Sequence, residues 1–362
     1  MLRGLRDQGH EVVTIEPTVS RSSLYLHARK AMYRAVGQHF HAERQRSIAQ
    51  ELAHSVETQL AMLGSPPDLV LSSSSLPMAY LRTDIPTAFW TDATFASMLG
   101  FYGEFSNLSS ETIQSGMEVE NQAIARCDHA IYSSEWAARS AITDHRGDPR
   151  QVHVVPFGPN LENAPSTAST LDAIAKRERR TCKLLFIGYD WERKQGGLVV
   201  QVQQRLERMG IPTELSIIGC TPKLEREHRR VRTLGLLDKD SPLDKELLLN
   251  ALSQSHFLVV PSLAECYGMV YAEASAYGLP SVACSVGGVP TVVHEGRNGL
   301  LFPPNVEAQR MADRIGAIWS DEIAYGALAR SARRDFEERL NWSSCITHLV
   351  STIGETRLEK AS

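Results

Sequence analysis

The sequence predicts an α/β protein of two doubly wound domains, and three observations carry that prediction. Short apolar runs alternate with helical stretches along the whole chain, the pattern of parallel sheets covered by helices. The length of 362 residues exceeds what one ordinary core holds, so two domains are expected. One strand-loop-helix window, Pro261 to Ala274, also places charged groups where open α/β sheets bind ligands.

The strand-like runs of the first half are Glu11 to Ile15, Asp68 to Leu71, Ile85 to Trp90, His129 to Tyr132 and Val152 to Pro156. Those of the second half are Lys183 to Ile187, Glu214 to Ile218, His256 to Val260 and Ser281 to Ala283. Between the halves, Asn163 to Thr181 is polar, rich in Ser, Thr and Ala, and then basic, as an interdomain connection would be. Hydrophobic content of 43% and charged content of 22% are those of a soluble globular protein. A net charge of −4 argues against a bulk nucleic-acid binder. No apolar run approaches the roughly 18 residues of a membrane span, and no signal peptide is evident. Six scattered cysteines, without paired metal-finger spacing, read as reduced thiols of a cytoplasmic protein.

In the window, the buried run His256 to Val260 leads through Pro261-Ser262-Leu263-Ala264-Glu265-Cys266-Tyr267-Gly268 into a helix. That helix should stop at Tyr277-Gly278-Leu279-Pro280, where Gly278 suits a left-handed cap and Pro280 forbids continuation. Backbone N–H groups of Cys266, Tyr267, Gly268 and Met269 would lie at the helix start, where an anionic phosphate is favoured. Glu265 stands beside that anion site, and Glu273 about 7 Å further along at about 1.5 Å per residue. Two carboxylates flanking a phosphate nest suit the hydroxyls on either side of a diphosphate, which describes a sugar nucleotide. Taken alone, such a pair is more often a solvated helix face. The apolar surroundings of Glu273 (Val270, Ala274, Ala276) favour the functional reading.

With Gly287-Gly288-Val289-Pro290-Thr291-Val292-Val293 and Glu295-Gly296-Arg297-Asn298-Gly299-Leu300-Leu301-Phe302 behind it, the window resembles the donor-binding region of retaining GT-B glycosyltransferases, family 4 (glycosyl transferases group 1). The likeness runs from about residue 65 onward and is most specific between 183 and 305. It implies a GT-B fold: two Rossmann-like doubly wound domains with an interdomain donor cleft. The implied organisation is an acceptor-side domain 1–162, completed by a C-terminal helix 341–362, a linker 163–181 and a nucleotide-sugar-binding domain 182–340. By resemblance, Glu265 reaches donor-sugar hydroxyls and Glu273 holds the ribose. The family usually has Gly after the first Glu. Cys266 stands there instead, so a side chain would narrow the sugar pocket.

Gly188-Tyr189-Asp190-Trp191-Glu192-Arg193-Lys194-Gln195-Gly196-Gly197 follows the first strand of the second half and opens a helix. Adjacent cations and paired glycines there can meet a diphosphate, although in isolation the segment would be a solvated basic turn. The resemblance assigns Arg193 and Lys194 to the donor phosphates and places Gly188 among the donor-binding residues. Asp238-Lys239-Asp240 imitates a metal-binding pair but sits in a charged loop containing Pro242, and it reads as surface. The resemblance implies neither metal nor cofactor, the nucleotide sugar being a co-substrate.

In the first half, Asp92 closes a strand in Phe89-Trp90-Thr91-Asp92-Ala93-Thr94. Two readings stay open: Asp92 orients the acceptor hydroxyl or stabilises positive charge on the sugar, or it caps a helix. Ser134 and Glu135 are helix caps or cleft residues. Arg21 to Gln50 carries six Lys/Arg against Glu43, with Leu24, Ala28, Met32, Val36 and Phe40 at helical spacing. Such a helix packs by that stripe, rests on an anionic membrane at the inner face, or grips a charged acceptor. Met1 to His10 reads as the later part of a first helix, so the family's first strand and glycine loop are expected upstream of Met1. The activity implied is sugar transfer from a nucleotide diphosphate to an acceptor with retention. A GT-B sugar-nucleotide epimerase and an N-terminally truncated, inactive glycosyltransferase remain as alternatives.

Overall fold

A computed structural model describes residues 1–19, 24–224, 230–238 and 240–361, with the side chains of Leu24 and 355–361 outside the description. Arg21 and Lys239, named above, also lie outside the described residues. The chain divides into two compact units, Met1–Pro156 with Ile346–Ser362, and Phe157–Cys345.

The first unit holds helices α1 (Leu2–Asp7), α2 (Leu24–Ala35), α3 (Arg46–Ala61), α4 (Phe95–Met98), α5 (Ser110–Arg126) and α6 (Glu135–Thr143). Its strands are β1 (Val70–Ser72), β2 (Thr87–Thr91), β3 (His129–Tyr132) and β4 (Val152–Val154). All pair in parallel, in the order β1-β2-β3-β4. Every residue of β3 is buried, as expected for a parallel strand covered on both faces. Buried Trp90 satisfies its indole by donating to the Val155 carbonyl at 2.8 Å.

The second unit holds α7 (Thr167–Lys176), α8 (Gly196–Arg208), α9 (Pro242–Gln254), α10 (Met269–Ala276), α11 (Val289–Val292), α12 (Ala308–Ser320) and α13 (Glu322–Asp335). Helix α14 (Trp342–Ala361) begins in this unit and belongs to the first from Ile346 onward. Strands β5 (Cys182–Ile187), β6 (Thr213–Ile218), β7 (Val231–Gly235), β8 (Phe257–Val260), β9 (Ser281–Cys284) and β10 (Gly299–Phe302) form a parallel sheet. Its order is β10-β9-β8-β5-β6-β7. The core runs through Leu184, Phe186, Val199, Leu206, Phe257, Val259 and Ile315.

Several expectations change. Glu11 to Ile15 forms no strand, and Val13 is exposed; only Ile15 of that run packs against the first core. The stretch 163–181 carries α7, whose Thr170 and Ile174 are buried, and it lies within the second unit. The apolar stripe proposed for α2 is not its buried face. The helix ends at Ala35, Gly37 turns the chain at φ 74°, and Met32 and Val36 stand exposed while Phe40 is buried beyond the turn. The inward face is Leu26, Arg29 and Tyr33 instead. Arg29 pairs with Glu111 of α5, Tyr33 donates to the same carboxylate at 3.1 Å, and its ring stacks on Phe40. A charged anchor on α5 therefore sets the rotation of α2.

Candidate functional site

In the second sheet the order of strand addition reverses between β5 and β8, all strands staying parallel. The loops leaving the carboxyl ends of those two neighbours, 188–195 and 261–268, are therefore side by side. Their side chains and carbonyls are tied together. Lys194 Nζ donates to Glu265 Oε2 at 2.6 Å, and Arg193 Nη1 lies 3.5 Å from the same oxygen. Arg193 Nη1 also donates to the Ala264 carbonyl at 2.5 Å, while Leu263 N–H donates to the Arg193 carbonyl at 2.8 Å. Gln195 Nε2 donates to the Pro261 carbonyl at 2.7 Å. Ser262 Oγ donates to Glu265 Oε2 at 3.2 Å. The side chains of Lys194 and Glu265 are 12% and 14% exposed, so their attraction is only partly screened by water.

Glycines make this packing possible. A Cβ on Gly188 would collide with the Lys194 stem, so Gly188 is the space through which the lysine passes. Gly268 has φ 90°, and a Cβ there would lie 2.5 Å from the Tyr271 ring and 3.2 Å from Glu265 Cγ. Gly268 is the N-cap of α10, which starts at Met269, so only the last part of the Glu265–Glu273 interval is helical. The first turn of α10 leaves the Met269 and Val270 N–H groups directed out of the helix start, while Tyr271 N–H returns to the Gly268 carbonyl.

Glu273 is buried on α10, among Tyr271, Ala272, Ala274 and Ala276. Burial, and then the charge of Glu273, pushes the Tyr277 hydroxyl up from its ordinary pKa. Tyr271, deep in the core, donates to the Val260 carbonyl at 2.7 Å, and burial followed by the nearby Glu265 raises its pKa well above normal. Tyr267 is also a core group. Its ring packs edge-on to Phe157 and its hydroxyl donates to the Phe157 carbonyl at 2.8 Å, so only its backbone is left for a ligand. Cys266 is buried and Met269 exposed.

The end of α10 matches its sequence signals. Leu279 N–H donates to the Ala274 carbonyl and Gly278 N–H to the Ser275 carbonyl, with Gly278 at φ 55°, a left-handed cap followed by Pro280. Two arginines that the sequence did not single out complete it. Arg333 donates to the Ala276 carbonyl at 2.5 Å, and Arg177 to the Tyr277 and Gly278 carbonyls at 2.6 and 2.9 Å. Both are buried, and both place positive charge at the negative end of the helix that carries Glu273. The only signal for Arg177 was the basic run at the end of the supposed linker.

Asp92 follows β2 in the first unit and is half-buried. It is not the cap of α4. Thr94 is, accepting from Ser97 N–H in a reciprocal capping box. His145 supports that turn: Nδ1 meets Asn121 Oδ1 at 2.7 Å and Nε2 accepts from Ala96 N–H at 3.3 Å. Burial brings the pKa of His145 down to about 4, so the neutral ring these bonds need is the form present near neutral pH. Ser134 caps α6 by accepting from Ala137 N–H, with Glu135 in its first turn. Asp238 accepts from Asp240 N–H at 2.9 Å and Ser241 caps α9, so this acidic loop is a helix entry.

Residues 172–321 match the model of a family described as glycosyl transferases group 1. A D-inositol 3-phosphate glycosyltransferase of Mycobacteroides abscessus is 28% identical over 241 residues, 65% of this chain and 53% of that protein. The enzyme of that name from Kribbella flavida is 30% identical over 227 residues, 59% of this chain and 53% of its own. The chain thus spans about half the length of the curated relatives it matches. Among solved structures, a sucrose-phosphate synthase from Thermosynechococcus elongatus superposes with a TM-score of 0.62 at 20% identity, covering 90% of this chain and 81% of that one. HepE of Anabaena in complex with UDP superposes at 0.60 and 19% identity, covering 84% of this chain and 82% of that one. Residues 172–321 thus resemble the group 1 glycosyltransferases, and the chain has the GT-B fold.

Proposed function

We propose that the protein is a glycosyltransferase that moves a sugar from a nucleoside-diphosphate donor to a hydroxyl acceptor with retention of configuration. The observation that carries this is the meeting of Lys194, Arg193 and Glu265 at the sheet reversal, beside the start of α10. That HepE holds UDP and UDP-glucose in its complexes, and that the curated relatives are glycosyltransferases, supports the donor class.

In this reading the diphosphate lies against the Met269 and Val270 N–H groups and draws Lys194 and Arg193 from Glu265. The two cations stabilise charge as the C1–O bond to the phosphate breaks. Glu265, released, accepts hydrogen bonds from sugar hydroxyls, and Glu273 holds the ribose. The acceptor oxygen attacks C1 on the face the phosphate leaves, and its proton passes to the departing diphosphate oxygen, which accounts for retention. Asp92 orients the acceptor hydroxyl. No divalent ion is required, because helix N–H groups and two cations offset the diphosphate charge.

The test is a screen of UDP- and GDP-sugars with purified protein, following donor consumption and, by NMR, the anomeric configuration of any product, with and without chelator. Inositol 3-phosphate is the first acceptor to try. Donor consumed to a 2-epimer with no sugar transferred would replace this reading with epimerisation, and strict need for a divalent ion would overturn the metal-free step.

The outer face of α2 supports a peripheral contact with an anionic membrane. Tyr25 and Met32 are exposed there and Val36 just beyond its end, and Lys30 and Arg34 are exposed on the same helix, which carries no acidic residue. Co-sedimentation with phosphatidylserine vesicles, lost in Met32→Ser/Val36→Ser, is the expected result; binding unchanged by that substitution would remove α2 from the contact.

A further inference from the structure

Gln195 has φ 53° and ψ 44°, one of three non-glycine residues with positive φ among those described. A left-handed backbone is unfavourable for a residue with a Cβ, so something must hold it. As N-cap of α8 it makes no side-chain cap bond to the helix. Its amide reaches instead to the Pro261 carbonyl at 2.7 Å, the first residue beyond β8 and the start of the loop that carries Glu265. On the other side of Lys194, the Arg193 carbonyl accepts from Leu263 N–H and the Arg193 guanidinium donates to the Ala264 carbonyl. Lys194 is thus bracketed by bonds from both sequence neighbours to the same opposite loop, and its ammonium meets Glu265 between them. The left-handed turn also places Gly196 against the Trp191 ring, where a Cβ would collide, closing the loop on itself.

We propose that Gln195 is a positioning residue that registers the two loops and so aims Lys194 at Glu265 and at the leaving group that Lys194 serves. The second half of that statement rests on the glycosyltransferase reading; the first half does not. Gln195→Gly separates strain from positioning, because glycine accepts the left-handed backbone at no cost but has no amide. The expected outcome is a Tm equal to or above the parent, kcat reduced about tenfold and donor KM changed less than threefold. In a Lys194→Ala background the same substitution should cost less than twofold, because it acts through Lys194. A crystal structure of Gln195→Gly without ligand should show Lys194 Nζ beyond 4 Å from Glu265. Should Gln195→Gly not fold, Gln195→Glu, of equal length but without the amide donor, carries the same expectations apart from the Tm gain. Parental kcat with the Lys194–Glu265 contact intact, or an equal cost in both backgrounds, would overturn the proposal. If the parent turns over no nucleotide sugar, the functional reading fails, and the ligand-free crystal structure still decides whether Gln195 sets the pair.

Discussion

The two sheets are built alike and differ in one respect that decides where charge collects. In the first unit the strands run β1-β2-β3-β4, each beside its sequence neighbour, with no reversal among the described residues. In the second, the chain moves outward from β5 through β6 and β7, then returns to the other side of β5 with β8. Two successive loops at one point of the carboxyl edge must then diverge, and the gap between them is where such sheets take ligands. Lys194, Arg193 and Glu265 meet there, and the cations have bonded partners. At the carboxyl end of β3 in the first unit, three buried polar atoms have no hydrogen-bond partner among the described residues: Tyr132 OH, Ser133 Oγ and, on α5, Glu120 Oε1. At its carboxyl edge the second unit brings charged side chains together, and at its own the first unit buries polar atoms.

Breaking the second unit's site should have the largest effect. Replacing Arg193 and Lys194 together with Ala is expected to lower turnover at least about a hundredfold, the scale of losing a charge-stabilising donor. Glu273→Ala should weaken nucleoside-diphosphate binding by about 1.5–3 kcal/mol, measured by calorimetry, as for a lost charged hydrogen bond. Equal affinity of variant and parent would remove Glu273 from the ribose. Glu265→Gln should behave oppositely, lowering turnover while binding free UDP as tightly as the parent or tighter, because the carboxylate that competes for Lys194 is gone. The first unit's charged candidate is expected to matter less for binding. Asp92→Asn should leave UDP affinity unchanged and reduce turnover about tenfold; a loss of UDP affinity equal to that of Glu273→Ala would erase the distinction between the units.

The difference between legible and illegible features follows the range of the interactions that make them. The strands β3, β8 and β9 were evident as short apolar runs because both their faces are buried, and β5 and β6 because most of their residues are. The cap at Gly278 was evident because a left-handed residue and a following proline are local matters. Strand β7 was not, since Val231–Gly235 is an edge strand with Arg232 and Thr233 exposed and no apolar run to betray it. The site residues Glu265, Glu273, Arg193 and Lys194 were named from sequence, but their pairing was not, because Lys194 and Glu265 are 71 positions apart. Arg177 and Arg333 left still less trace. Each finds its carbonyls across the fold, and an arginine that caps a distant helix has the same local surroundings in sequence as one in solvent.

The smallest effect sharpens the comparison from the first unit's side. Glu120 is wholly buried; burial raises its pKa, offset in part by Arg44 and by the bond from Ser75 Oγ at 2.8 Å. An acid whose folded pKa is raised holds its proton more tightly folded than unfolded. Stability is therefore full below the ordinary carboxylate range, falls as pH rises from there toward the folded value, and stays reduced above it. Glu120→Gln keeps an acceptor for Ser75 and removes the titration. It should stabilise the protein by about 1 kcal/mol at pH 8, or roughly 2–4 °C in Tm, and change nothing near pH 4. Hydrogen exchange should place the gain in β3 of the first unit and leave β5 of the second as it was. A gain of the same size at both pH values would mean that packing, not proton uptake, separates Glu120 from Gln. A gain spread equally over β3 and β5 would mean that the two units share one stability and that the contrast between their carboxyl edges is one of geometry alone.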